Sequence, residues 1–183
     1  MGSQDIEFVD HIVNLYKAVP GYAYEALLSI FCVGLTLFFL TKGIKKGIRY
    51  SSALLLAEYV YLLYSTTVIY RIERPSRIFS VQLFYSYFND YANHYLLIDN
   101  LMNVVVFIPI GLLMPICLQR ILWWHILLFG CGLSLSIEIL QYVLVRGNAN
   151  VDDIMHNTLG CLIGYGIAHA IVMFLNREKH ENR

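Results

Sequence analysis

The chain has 183 residues, 58% of them hydrophobic and only 14% charged, where a soluble domain carries about a quarter charged residues. Its formal net charge is zero, so it lacks the basic footprint of a nucleic-acid-binding protein. With a mean hydropathy of +0.58 and long uninterrupted apolar runs, the chain reads as an integral membrane protein.

Residues 1–20 are polar and acidic, with no basic n-region or small-residue cleavage site, so no cleaved signal is expected. Phe8, Ile12, Tyr16 and Val19 recur at helical spacing and predict a short interfacial helix. Five segments then approach the roughly 20 apolar residues that cross a bilayer: Tyr22–Thr41, Ser51–Tyr70, Leu97–Leu118, Ile121–Val145 and Val151–Leu175. The fold class is all-α, a helical bundle of five transmembrane helices with one or two interfacial amphipathic helices. One transmembrane domain, 21–176, follows the N-terminal segment and precedes a tail, 177–183. Between spans two and three lies the longest connection, 71–96, where Val81, Phe84, Phe88, Tyr91 and Tyr95 describe an amphipathic helix with aromatic groups at headgroup depth.

The cations set the orientation. Lys42, Lys45, Lys46, Arg49, Arg120, Arg177, Lys179 and Arg183 fall on one side, and Lys17, Arg71, Arg74, Arg77 and Arg146 on the other. The positive-inside rule therefore places the N-terminus outside and the C-terminus in the cytoplasm. Cys32, Cys117, Cys131 and Cys161 lie in apolar runs without pairing or metal-type spacing and read as packing residues. Pro109 and Pro115 inside span three predict a kink or break. Glu58 and His169 lie toward the inner half of their spans and have no assignable role. His125 and His156 lack the partner histidines of a zinc motif, and no metal site is assigned.

An ionised group at mid-bilayer costs roughly 2.5–3.5 kcal/mol on insertion scales, so polar groups in these spans need partners or a task. Asp99, Asn100 and Asn103 open the third span; Glu138 and Gln141 share a face of the fourth; Asp152, Asp153 and Asn157 open the fifth. Glu138 lies roughly 10 Å below Val145 at the helical rise. All reach one layer, the outer-leaflet interface. Asp153, Asn157, Gly160 and Gly164 share a face whose glycines admit a close neighbour, with the Glu138–Gln141 face as the expected partner. For Gln141, Asn157 and Asn103, ligand contact and hydrogen bonding that holds the bundle both stay open. Asp152 and Asp153 also suit a helix N-terminus. Arg146, beside the Gly147-Asn148 turn, either pairs with Glu138, Asp152 or Asp153 or grips a phosphate or carboxylate. For Arg71 and Arg74, headgroup contact is the simplest reading.

The run Asp99-Asn100-Leu101-Met102-Asn103-Val104-Val105-Val106-Phe107-Ile108-Pro109-Ile110-Gly111 resembles the N-x-x-x-F-x-P-x-G block of the VanZ-like membrane proteins. Glu138-x-x-Gln141, Arg146-Gly147 and Asp152-Asp153-x-x-x-Asn157-Thr158-x-Gly160 resemble that family's second block in order and spacing. The likeness covers roughly residues 70–175, while Asn148-Ala149-Asn150 departs from the glycine-rich turn usual there. The resemblance implies a bacterial multi-pass membrane protein tied to resistance against glycopeptides, notably teicoplanin, and marks Arg77 as a site candidate.

Two functions fit. In the first, an outward pocket binds membrane lipid, a lipid-linked peptidoglycan precursor or the lipoglycopeptide itself. In the second, the protein is an enzyme acting on a lipid-linked precursor: Asp153 or Asp152 serves as general base, Glu138 orients or neutralises, and Arg146 and Arg77 bind the headgroup beside Gln141, Asn157 and Asn103. No cofactor is identified; a divalent ion bridging acids and phosphate is compatible with the second reading.

Overall fold

A computed structural model describes residues 19–73, 75–81, 83, 87, 94–118 and 120–181. The expected N-terminal amphipathic helix lies outside these except for Val19, which is buried. Most of the aromatic stripe also lies outside them (Phe84, Phe88 and Tyr91), as do Lys17, Arg74 and the side chain of Tyr95.

Helix α1 spans Gly21–Lys42 and helix α2 spans Ile44–Tyr64. They are joined by Gly43 alone, whose φ of 75° lies in the region glycine enters without a Cβ clash. Span two therefore begins well before the expected Ser51. The segment carrying Lys46 and Arg49 forms its first turns, because long basic side chains can run from a helix out to the interface. Arg49 donates its Nε to the Cys117 carbonyl at 2.7 Å, closing the end of a later helix with a cation.

A π-helical turn, Ser65–Ile69, extends α2. The hydroxyls of Ser65, Thr66 and Thr67 bond back to the carbonyls of Tyr61, Leu62 and Leu63, a pattern that competes with regular helix bonding. Strand β1, Ile78–Ser80, follows. Helix α3 runs His94–Cys117 and continues through both Pro109 and Pro115 without the expected break. In the turn before Pro109 the Tyr59 hydroxyl donates to the Val106 carbonyl at 2.7 Å.

Helix α4, Trp123–Leu144, ends at Val145, whose φ of 56° is left-handed and unusual for a β-branched residue. The Arg146 N–H closes this end on the Gln141 carbonyl at 2.9 Å. Strand β2, Asn148–Asn150, pairs in parallel with β1, with Ile78 opposite Asn148, Phe79 opposite Ala149 and Ser80 opposite Asn150. A buried Ala149 thus lies in a strand at the place where the resemblance has a glycine-rich turn. Helix α5 runs Val151–Glu181, so the expected tail is helical as far as Glu181.

Five of these helices are long and apolar enough to cross a membrane, and the bundle is all-α apart from the short strand pair. The closest packing joins α3 to α5. A Cβ added at Gly160 would stand 2.1 Å from the Val104 carbonyl oxygen, and one at Gly164 2.1 Å from that of Ile108. The two backbones therefore touch, and the matching advance along both chains makes them parallel. The glycine face closes on α3, not on α4 as expected, because only a surface free of Cβ atoms can accept a backbone this near. Phe107, Ile110, Ile126, Ile137 and Cys161 fill the core between α3, α4 and α5. Glu58 has a buried Oε1 without a hydrogen-bond partner among the described residues, and His169 stacks on Tyr165.

Candidate functional site

The end of the bundle where α2 and α4 finish and α3 and α5 begin carries nearly all of the costly polar groups. Glu138, Gln141, Asp152, His156, Asn157 and Asn100 are buried there. Asn150 organises them. Its backbone N–H donates to Glu138 Oε2 at 2.8 Å, its Oδ1 accepts the Asp152 N–H at 3.0 Å, and its Nδ2 reaches Asp153 Oδ1 at 3.4 Å. Asn150 is thus the N-cap of α5, while the two acids occupy the first turn. The sequence signal was an asparagine directly before an apolar helical period.

Asp153 interacts electrostatically with His156, Asp152, Asp99 and Arg71, and Glu138 with Asp153 and Arg71. Three helices and the loop after α2 therefore contribute to one charge cluster. From α3 the contributor is Asp99, one turn nearer the end than Asn103. Asn103 is half-buried and has no hydrogen bond among the described residues.

His156 was not expected here. Its Nδ1 lies 2.7 Å from the Asp152 carbonyl, which can only accept, so Nδ1 carries a proton. Its Nε2 is 2.9 Å from the Tyr87 hydroxyl, with the two rings stacked at 5.9 Å and 12°. The tyrosine is 69 residues away in sequence, and no spacing rule would connect the pair.

The arginines divide differently from expectation. Arg146 turns to the π-helical end of α2: Nη1 donates to the carbonyls of Val68 and Ile69, and Nη2 is 3.5 Å from Glu73. Gln141 joins it by donating Nε2 to the Thr67 carbonyl at 3.1 Å. These side chains take up carbonyls where the regular ladder of α2 ends. Arg71 is the guanidinium set against the carboxyls. It also packs on Gly147, where a Cβ would lie 3.2 Å from Arg71 Nη1 and 2.9 Å from Gln141 Oε1. Arg77 lies over the Tyr142 ring at 5.8 Å, a cation–π contact.

Deeper in the bundle, Asn157 donates Nδ2 to Ser134 Oγ at 2.8 Å, while its Oδ1 is buried without a partner among the described residues. Beside the cluster opens a cavity of about 370 Å³, walled by Phe79, Leu135, Ile139, Tyr142, Val151 and Ile154. Glu138 and Asn150 are its polar lining and belong equally to the charge cluster. Among the described residues no three His, Cys, Asp or Glu side chains converge in a way that would hold a metal ion. The arrangement can offer carboxylate acceptors, one guanidinium and an oriented imidazole to a headgroup, with an apolar groove alongside.

Comparison with known proteins gives the arrangement a context. The chain is 34% identical over 70 residues to Protein VanZ of Enterococcus faecium, a match covering 37% of this chain and 44% of that protein, less than half of the relative's length. No solved structure matches the chain significantly. The family described as VanZ/LLP1 matches residues 26–174, adding the first two spans to the region of likeness visible in the motifs. With that match over most of its length and, among the described residues, five helices long and apolar enough to cross a membrane, the chain belongs to the VanZ/LLP1 family of multi-pass membrane proteins.

Proposed function

We propose that this protein contributes to glycopeptide resistance, teicoplanin in particular, by binding a lipid-linked cell-envelope molecule or the lipoglycopeptide itself at the outer face of a bacterial membrane. The observation that carries the reading is the shared wall of cluster and groove: Glu138 and Asn150 line both. An amphiphile seated there keeps its chain against Leu135, Ile139 and Ile154 and its headgroup among the charges. The orientation rests on the cations, since Lys46, Arg49, Arg120 and Arg177 gather at the opposite end of the bundle, the cytoplasmic side by the positive-inside rule. In this reading Asp153, Asp152 and Glu138 face the headgroup, Arg77 with Tyr142 guards the rim, and Arg146, Gln141 and Asn157 hold the walls. Membrane lipids are the default occupants.

The enzymatic alternative draws support from His156. Its imidazole is held in one tautomer next to Asp153, a pairing suited to proton transfer on a lipid-linked precursor. One experiment separates the two readings. Purified protein in lipid is incubated with candidate precursors and analysed by mass spectrometry for bound ligand and for covalent change. Binding requires a retained, chemically unaltered ligand. Catalysis requires a new product mass that disappears in Asp153→Asn. If neither is seen with any lipid-linked precursor or with teicoplanin, both readings fail.

A further inference from the structure

We infer that the chain seated in the groove is joined to its headgroup through a secondary amide, whose N–H donates to Glu138. The inference rests on the binding reading above and adds the chemistry of the ligand at one point, the junction of chain and headgroup.

The groove suits a hydrocarbon that enters from the side. Leu135, Ile139 and Tyr142 line it and are also exposed on α4, a helix long and apolar enough to cross a membrane, so in a bilayer the groove opens onto lipid. Phe79, Val151 and Ile154 complete its apolar wall. Its volume of about 370 Å³ lies at the small end of the roughly 300–1,000 Å³ of ligand sites, room for one chain.

A single acceptor interrupts that wall. Glu138 lines the groove and is only 5% exposed. Its Oε2 accepts the Asn150 N–H at 2.8 Å, while its Oε1 has no hydrogen bond among the described residues. Nor is that oxygen sealed inside protein, as the orphan oxygens of Glu58 and Asn157 are; the open space that Glu138 borders is the groove. Asn150, the other polar residue of the wall, is already committed: its N–H to Glu138, its Oδ1 to the Asp152 N–H and its Nδ2 to Asp153. An occupant that fits therefore brings a donor to Oε1, because an acceptor buried under an apolar ligand without one is costly.

The form of the donor follows from the count and from depth. An ammonium carries three donors and a charge, and this wall would meet one donor and leave two unmet among apolar side chains. Ester, ether and ionised phosphate oxygens bring no donor. Glu138 stands six residues before the end of α4, roughly 9 Å at the helical rise. Leu135 lies one turn deeper and Tyr142 one turn nearer the end, so the groove continues on both sides of the carboxyl. The donor accordingly belongs to the middle of the ligand, with the chain running inward and the headgroup outward. A secondary amide is a link of that kind: it joins two parts and still presents one N–H.

The test uses the full-length protein in mild detergent micelles, reisolated after incubation, with bound probe extracted and quantified by mass spectrometry. Three chain-matched neutral probes compete at equal concentration: N-methylhexadecanamide, N,N-dimethylhexadecanamide and methyl hexadecanoate. N-methylacetamide serves as the chainless amide. The expected result is retention of N-methylhexadecanamide over the other two by about tenfold, with no displacement by equimolar N-methylacetamide. In Glu138→Gln the amide oxygen must accept the Asn150 N–H, which leaves Nε2, a donor, toward the groove; the preference should fall to unity or reverse toward the ester. Leu135→Trp, at an exposed position on the groove wall, should lower retention of all three probes several-fold. Equal retention of the three probes by the unaltered protein would overturn the amide inference and leave a lipid groove standing. Equal retention of the two amides above the ester would overturn the role of the N–H, and a tenfold preference that survives in Glu138→Gln would overturn the assignment to that residue. Displacement by N-methylacetamide, or retention unchanged in Leu135→Trp, would overturn the seat given to the chain. Retention of no probe at all would remove the binding reading as well.

Discussion

Replacing Gly160 by alanine drives a methyl group into the backbone of α3. The new Cβ would stand 2.1 Å from the Val104 carbonyl oxygen and 3.0 Å from Phe107 Cβ, whereas ordinary contact begins at 3.4 Å. The obstacle is main chain and cannot swing aside, so the helices must part there by more than about 1 Å. Overpacking of this kind costs about 1–3 kcal/mol. The helix gains back roughly 0.5–1 kcal/mol from the loss of glycine's backbone freedom. A net destabilisation of about 1–2 kcal/mol is expected for Gly160→Ala. The matched control is Gly132→Ala on α4, where nothing lies within 4 Å of the added methyl, and where stability should hold or rise slightly. Both are measured by denaturant or thermal unfolding in detergent, followed by far-ultraviolet circular dichroism. Equal stabilities for the two variants would refute the backbone contact between α3 and α5, and with it the way Asp99 reaches the cluster.

Three further outcomes follow from the same geometry. Arg146→Leu strips the donors from the carbonyls of Val68 and Ile69 and should cost about 1–3 kcal/mol in unfolding; Glu73→Gln, removing only a 3.5 Å exposed pairing, should leave the melting curve unchanged. Asn150→Ala removes the α5 cap and should cost about 0.5–2 kcal/mol, while Asn150→Ser, which restores a capping oxygen, should recover most of it on the same curves. Val145→Gly relieves a β-branched residue at φ 56° and should stabilise by up to about 1 kcal/mol; a loss of stability would mean that packing of the valine side chain outweighs the backbone strain.

The five spans were legible because a bilayer demands runs of about 20 apolar residues and nothing else in the chain competes with that pattern. The convergence of Glu138, Asp152, Asp153 and Asn157 on one layer was legible for a related reason: position along a membrane helix is depth, and depth follows from counting residues. Asp99 and Asn100 could be placed in that layer by the same count, but not the precedence of Asp99 over Asn103, which depends on the rotation of α3. That rotation is set by where Gly160 and Gly164 admit its backbone.

The division of labour among the arginines was likewise beyond the linear pattern. Arg71 and Arg146 both adjoin span ends, and each could have served the carboxyls. Only the π-helical turn, by presenting the carbonyls of Val68 and Ile69 beside α4, commits Arg146 to architecture and leaves Arg71 facing Glu138 and Asp153. The strand pair and the His156–Tyr87 contact escaped for the same physical cause. They join segments about 70 residues apart through single bonds or three-residue ladders, and contacts that sparse leave no periodicity in the chain. Composition and periodicity thus determined that the described residues hold five helices long and apolar enough to cross a membrane, with the polar groups gathered at one end. Tertiary packing alone decided which of those groups meet, because helix rotation and closeness of approach depend on the partner helix as much as on the helix itself.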